Sequence, residues 1–205
     1  MDKEIIASRI ANPLLREAFM KVDRRDYLPE KYKNAAYDLE FADEPLWISE
    51  SVTTTALNLG LFMLDSLELS PGLKVLEVGT GNGYYTSLMA EVAEIVVTVE
   101  IDREVLEFAR KNLSKYRNVI IIEGDGSVGY EPLSPYDRAV IWAASPTLPC
   151  KIFDQLKEGG VMVVPIGSER RQTLYKVRKK DGRPEITRLG DVIFMKMRGV
   201  CGFYD

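Results

Sequence analysis

The stretch LKVLEVGTGNGY, residues 73–84, decides the fold. Its first six residues form a short apolar run of strand character, three alternate glycines follow, and from residue 84 to about 93 the apolar positions take helical spacing. The rhythm then repeats. Residues 95–99 (IVVTV) read as a strand, 103–114 as a helix, 119–122 (VIII) and 138–142 (RAVIW) as strands, and 151–157 as a helix stopped by Gly159-Gly160. Residues 161–165 make a fifth strand. Apolar strands alternating with helices predict a mostly parallel sheet covered on both faces, and the right-handed crossover rule makes it a doubly wound, Rossmann-like α/β fold.

Outside this block, residues 1–33 place Ile5, Ile6, Ile10, Leu14, Leu15, Phe19 and Val22 on one helix face, with Pro13 dividing the run into two short helices. Residues 34–52 read as loop with short extended pieces, and 55–69 as helix. Residues 173–178 and 191–197, on either side of a turn at Asp181-Gly182, predict antiparallel strands added to the sheet. The expected organisation is one domain, with a helical and loop cover over 1–69, a core over 70–167 and terminal strands over 168–205. Residues 167–205 carry ten Lys/Arg against five Asp/Glu, a local excess of +5 expected on a solvated strand face.

The 205 residues carry 27 basic and 31 acidic side chains, a net charge of −4, and 46% are hydrophobic, which excludes a disordered or collagen-like chain. Histidine is absent. That excludes a Ser-His-Asp triad, histidine metal ligation and imidazole acid–base chemistry. It also predicts a rate that is flat from about pH 6 to 8. Two cysteines, Cys150 and Cys201, are too few for a disulfide framework and are expected as small buried hydrophobes. The N-terminus is charged where a secretory signal needs an apolar run, and no stretch reaches the ~20 apolar residues of a membrane span. A soluble cytoplasmic protein is expected.

The turn binds a ligand by its backbone: glycines permit close approach, and the helix behind them presents free N–H groups. Its spacing is G-x-G-x-G at Gly79, Gly81 and Gly83, one residue short of the dinucleotide fingerprint. Glu77 before it would repel a pyrophosphate and attract an ammonium. S-adenosylmethionine (SAM) has amine, carboxylate and sulfonium groups but no phosphate, and it fits. Glu100, ending the second strand, is placed for the ribose hydroxyls, and Asp125, after the third, for the adenine amino group. Where methyltransferases acting on exocyclic amines carry an Asn/Asp-Pro-Pro-aromatic motif, this chain has Trp142-Ala143-Ala144-Ser145-Pro146. Without that motif, a local cysteine or any histidine, an acceptor already anionic at pH 7, such as a carboxylate, is the simplest match.

Longer segments carry a resemblance: VDRRDYLP (22–29), DEPLWIS (43–49), residues 73–84, VVTVEID (96–102), EGDGSVGY (123–130), YDRAVIWAA (136–144), QLKEGGVMVVPIG (155–167) and GVCGF (199–203). From about residue 14 onward the chain resembles the protein-L-isoaspartate (D-aspartate) O-methyltransferase family, most closely in its archaeal form. The resemblance implies methyl transfer from SAM to the α-carboxylate of L-isoaspartyl residues in damaged proteins, with S-adenosyl-L-homocysteine as product. The ester then closes to a succinimide whose hydrolysis returns part of it to aspartate. The implied partners are isoaspartyl proteins and peptides, with no metal, nucleic acid or membrane. The family's active-site serine falls on Thr55, its glutamine on Val52, its proline on Leu57 and its histidine on Asn58. Thr55 is thus the candidate catalytic residue, although Thr53–Thr55 could also serve as a helix N-cap. Candidate cofactor residues are Thr53, Thr54, Glu77, Gly79, Thr80, Gly81, Gly83, Glu100, Ile101, Asp125 and Gly126, with Ala143, Ala144 and Ser145 on the substrate side. Other readings of the residues are a SAM-dependent enzyme acting on RNA or a small molecule, and a noncatalytic module that keeps the fold to bind a protein.

Overall fold

The structure is a computed structural model, and it describes residues 2–50 and 52–203. Ser51, which opens the segment carrying Thr55, lies outside the described residues. The chain starts with helices α1 (Asp2–Ser8) and α2 (Pro13–Lys21), divided at Pro13 as its fixed φ requires. Asn12 caps α2 by accepting from Leu14 N at 3.0 Å and Leu15 N at 3.3 Å. Two 3-10 turns, Arg24–Tyr27 and Glu30–Ala35, lead to a small hairpin of β1 (Leu46–Trp47) and β2 (Thr53–Thr54). Helix α3 (Leu57–Ser66) then crosses under the cover.

The alternating block follows as β3 (Lys74–Val78), α4 (Tyr84–Ala90), β4 (Ile95–Glu100), α5 (Arg103–Leu113), β5 (Val119–Glu123), β6 (Tyr136–Ile141), α6 (Cys150–Asp154) and β7 (Leu156–Gly167). β8 (Gln172–Lys180) and β9 (Arg183–Val192) complete it. Among the described residues, seven strands form one sheet in the order β5-β4-β3-β6-β7-β8-β9, parallel through β7 and antiparallel beyond. One core, with Leu15, Phe19, Leu57, Leu64, Tyr84 and Leu88, joins α1 to α4 to one face of the sheet. A second, with Ile152, Phe153, Tyr136, Leu76 and Met162, covers the other face. β5 is an edge strand and only partly covered.

Three sequence expectations are corrected. The helix expected over 151–157 ends at Asp154, and β7 starts at Leu156 and runs through Gly159-Gly160, so the glycines do not stop a helix. Leu156 pairs with Tyr136, the register then shifts, and Gly159 sits at φ +78°, so the glycines form an irregularity within a strand. The last strand lies at 183–192, not 191–197. A two-residue turn with positive φ at Asp181 and Gly182 returns the chain at once. Past Val192 the amide of buried Gln172 replaces the ladder, accepting from Phe194 N at 2.6 Å and donating to Phe194 O at 3.0 Å. That releases residues 193–198 toward Ala144. Finally, Cys150 and Cys201 are both free and exposed. Of the tail's basic residues, Arg183 and Arg188 lie on β9 and Lys176, Arg178, Lys179 and Lys180 on β8, and several are paired, as in Arg188–Asp191 at 2.7 Å, Arg178–Glu68 at 2.8 Å and Lys196–Glu169 at 3.0 Å.

The N-terminal cover is tied to α3 by Asp65, whose carboxylate accepts from Ala11 N at 2.9 Å and Asn12 N at 2.8 Å. Asp65→Ala leaves both donors to water and is expected to lower stability by about 1–2 kcal/mol. A urea titration of the variant against wild type reads this directly; an unchanged midpoint would remove the tether.

Candidate active site

The sheet order reverses at β3, flanked by β4 and β6, and an open cleft lies at the C-terminal edge there. Parallel sheets open for ligands at this place because successive crossovers leave toward opposite faces. One wall is the turn Gly79-Thr80-Gly81-Asn82, with φ of +91° at Gly79 and +55° at Gly81, values open to glycine at little strain. The turn is anchored beneath by the Thr80 and Thr98 hydroxyls at 2.6 Å. At the floor, a Cβ on Gly126 would lie 2.6 Å from Val78 Cγ1, so only glycine permits the β5 loop to close up against β3.

Glu100 lies at the centre of this wall, 7% exposed. Its Oε2 accepts from Gly81 N at 3.1 Å and its Oε1 from Asp102 N at 2.9 Å. Each oxygen keeps a further lone pair for a ligand hydroxyl. Ile101 and Val99 add apolar surface beside it. The opposite wall is formed by Val52, Thr53, Thr54 and Thr55, and the mouth by Met195, Lys196, Met197 and Arg198. These walls meet where Thr53 Oγ1 lies 3.9 Å from Met195 Sδ.

The cleft therefore collects Thr53, Thr54, Thr55, Gly79, Thr80, Gly81, Glu100, Ile101, Gly126 and Ala143. It does not collect Glu77, Gly83, Asp125, Ala144 or Ser145. Glu77 points into the interior, fully buried, and takes the Thr86 hydroxyl at 2.5 Å and the Trp142 indole N–H at 2.8 Å. Gly83 is the N-cap of α4, its φ of +82° turning the chain into the helix, with Leu113 packed where a side chain would begin. Asp125 faces the chain terminus: it accepts from Ser127 N and, at 2.8 Å, from Val200 N. Partial burial pushes its pKa up, but the bonds from Ser127 and Val200 outweigh this and leave it below the usual value. Asp125 thus clamps residues 199–201, and each of its oxygens, like those of Glu100, keeps a further lone pair. Ala144 and Ser145 are buried under the 193–197 segment and β7, Ala144 exchanging backbone bonds with Met195 and Met197. The N-cap of α3 is Ala56, without a side-chain bond, so the threonines do not cap it. Asn58 bonds Asp43 at 3.0 Å, away from the cleft.

Tyr85, Trp142 and the mouth residues 195–198 were not legible as site residues. Tyr85 and Trp142 carry no motif of their own, and residues 195–198 reach the cleft only because the chain leaves the sheet at Gln172.

A family model described as Protein-L-isoaspartate(D-aspartate) O-methyltransferase matches residues 1–200. The chain belongs to that family. A protein-L-isoaspartate O-methyltransferase of Dictyoglomus turgidum is 41% identical over 92% of this chain and 85% of its own length. Protein-L-isoaspartate O-methyltransferase 1 of Archaeoglobus fulgidus is 39% identical over 98% and 95%. Among solved structures, a protein-L-isoaspartate O-methyltransferase superposes with a TM-score of 0.88 at 28% identity, covering 98% of this chain and 66% of that one. A Plasmodium falciparum protein, described as such an enzyme in complex with S-adenosyl-L-homocysteine, superposes at 0.83 with 27% identity over 96% of both chains. Family membership makes the chain a SAM-dependent methyltransferase of isoaspartyl carboxylates. No helix among the described residues is long and apolar enough to cross a membrane.

One buried carboxyl of the interior is shifted toward neutrality. Burial pushes Glu77 up to about 7, against the opposing bonds from Thr86, Thr98 and Trp142. Unfolded, the group titrates near 4.5. Between these values the folded protein holds a proton that the unfolded chain has lost, so stability falls as pH rises through the window and levels off above it. With no histidine to mask the effect, wild type is expected to lose roughly 2 kcal/mol between pH 5 and 7.5. Glu77→Gln should flatten that slope in denaturant titrations at the two pH values. An equally steep slope in the variant would assign it elsewhere.

Proposed function

We propose that the cleft holds SAM along the Gly79–Gly81 turn and that Thr55 presents the acceptor carboxylate to it. The turn supplies glycine backbone and Glu100 supplies lone pairs for the ribose hydroxyls. Val78, Val99, Ile101, Gly126 and Ser127 surround the space left for adenine. Asp125, beside Gly126 and Ser127, keeps a lone pair on each oxygen with which to accept from the adenine amino group. When bound, SAM supplies a methyl group activated by its sulfonium and departs as S-adenosyl-L-homocysteine.

The observation that carries the assignment of Thr55 is its release from every structural duty of its side chain. It lines the cleft, it does not cap α3, and among the described residues no hydrogen bond holds its hydroxyl. The acceptor, an isoaspartyl α-carboxylate with pKa of about 3.3–3.7, is already ionised at pH 7. Thr55 therefore has no proton to remove; it donates a hydrogen bond and fixes the direction of the attacking oxygen. Catalysis then consists of placing two reactants and excluding water from between them. Isoaspartyl proteins and peptides are the substrates this arrangement suits.

Two variants test the two halves of the site. Glu100→Ala removes charge-assisted bonds worth roughly 1.5–3 kcal/mol each, so SAM affinity by calorimetry should fall at least about tenfold with cooperative unfolding retained. Unchanged affinity would take Glu100 out of the cofactor site. Thr55→Val is nearly isosteric and should cut turnover of an isoaspartyl peptide by about tenfold or more while SAM binding stays near wild type; Thr55→Ser should stay active. A Val variant as fast as wild type would reduce Thr55 to lining.

A further inference from the structure

We propose that Tyr85 is a positioning residue for the methyl transfer, acting through Thr55. Its phenol spans from the cofactor turn to the acceptor wall and fixes the backbone that carries the Thr55 hydroxyl. This rests on the reading of Thr55 given above.

Tyr85 lies in the first turn of α4, directly behind Gly79–Gly83. Its Oη reaches across the cleft base and donates to two carbonyls on the other wall, Thr55 O at 2.9 Å and Ala56 O at 3.1 Å. Those carbonyls belong to the bend between β2 and α3, a bend with no side-chain cap. Thus the Thr55 backbone is not held by a capping bond of its own; it is held by a phenol some 30 positions later in the chain. Burial pushes that phenol up to about 12, so its proton stays available throughout the neutral range.

The ring is held on both sides. Toward α3, a Cβ on Gly60 would fall 2.1 Å from Tyr85 Cζ, so the helix carries a notch that the ring fills. On its other side the Trp142 indole stacks at 4.6 Å between centroids and 26° between planes. Trp142 is fixed in turn by its N–H bond to Glu77, which gives buried Glu77 a role without contact to any ligand. With its ring clamped and its oxygen shared between two carbonyls, Tyr85 transmits the position of the cofactor turn to the residue facing the acceptor. Small misplacements of reacting groups cost rate far more than they cost binding.

Tyr85→Phe keeps the ring, the stack and the filled notch and removes only the bond to the two carbonyls. It is expected to lower kcat on an isoaspartyl peptide about 5- to 20-fold, with the dissociation constant for SAM and the melting temperature close to wild type. The double variant Thr55→Val/Tyr85→Phe should be no slower than Thr55→Val alone, because Tyr85 acts only through the hydroxyl already lost. A Tyr85→Phe enzyme with wild-type kcat would overturn the proposal while leaving Thr55 in place, provided Thr55→Val is slow. Losses that multiply in the double variant, or a drop in SAM affinity matching the drop in kcat, would also overturn it. If Thr55→Val itself runs at the wild-type rate, both readings fall together.

Discussion

β3 is hydrogen-bonded on one side to β4 and on the other to β6, and the connections leaving these strands go to opposite faces of the sheet. The chain after β3 must then part from the chain after β6, and the gap between them is the cleft. Around that constraint the rest of the site is arranged by backbone more than by side chains. The glycine turn crosses the top of β3, the β5 loop closes against Val78 because residue 126 has no side chain, and Glu100 at the end of β4 ties the turn down through Gly81 N. The wall of residues 52–55 and the mouth of residues 195–198 come from outside this sheet and must be held against its edge by other means.

Those means are buried and polar. Glu77, Trp142 and Tyr85 run from the interior of β3 through a stacked pair to the carbonyls behind Thr55. On the far side, Asp125 and Ser127 grip the backbone of Val200 and Cys201, and Gln172 turns the chain at Phe194 toward the mouth. A buried carboxyl such as Glu77 costs stability in its charged form. Here it gives a fixed acceptor for an indole that lines the cleft, so the electrostatic strain and the geometry of the site have one source.

Chemically, the absence of histidine and the acceptor's own charge fit together. A carboxylate needs orientation and desolvation, and the role proposed for the Thr55 hydroxyl supplies the first without any group having to titrate. Glu77, which burial moves toward neutrality, is buried and does not line the cleft.

The sequence by itself determined the doubly wound sheet and the position of the glycine turn, because these rest on local periodicity, and the family, because matching segments run in order along most of the chain. It could not separate Glu100, which lines the cleft, from Glu77, which is buried away from it. Both are acids near the ends of adjacent strands, and which way each faces depends on the strand's pleat and on partners from elsewhere in the chain: the Trp142 indole for Glu77, the Gly81 N–H for Glu100. Nor could it place residues 195–198, read as strand, at the mouth of the cleft, because one buried amide, Gln172, decides where the sheet ends. Tyr85 follows the same logic. Its neighbours Gly60, Thr55 and Trp142 are distant in sequence, and only the packing of α3 against α4 and β6 brings a notch, two carbonyls and an indole around a single ring.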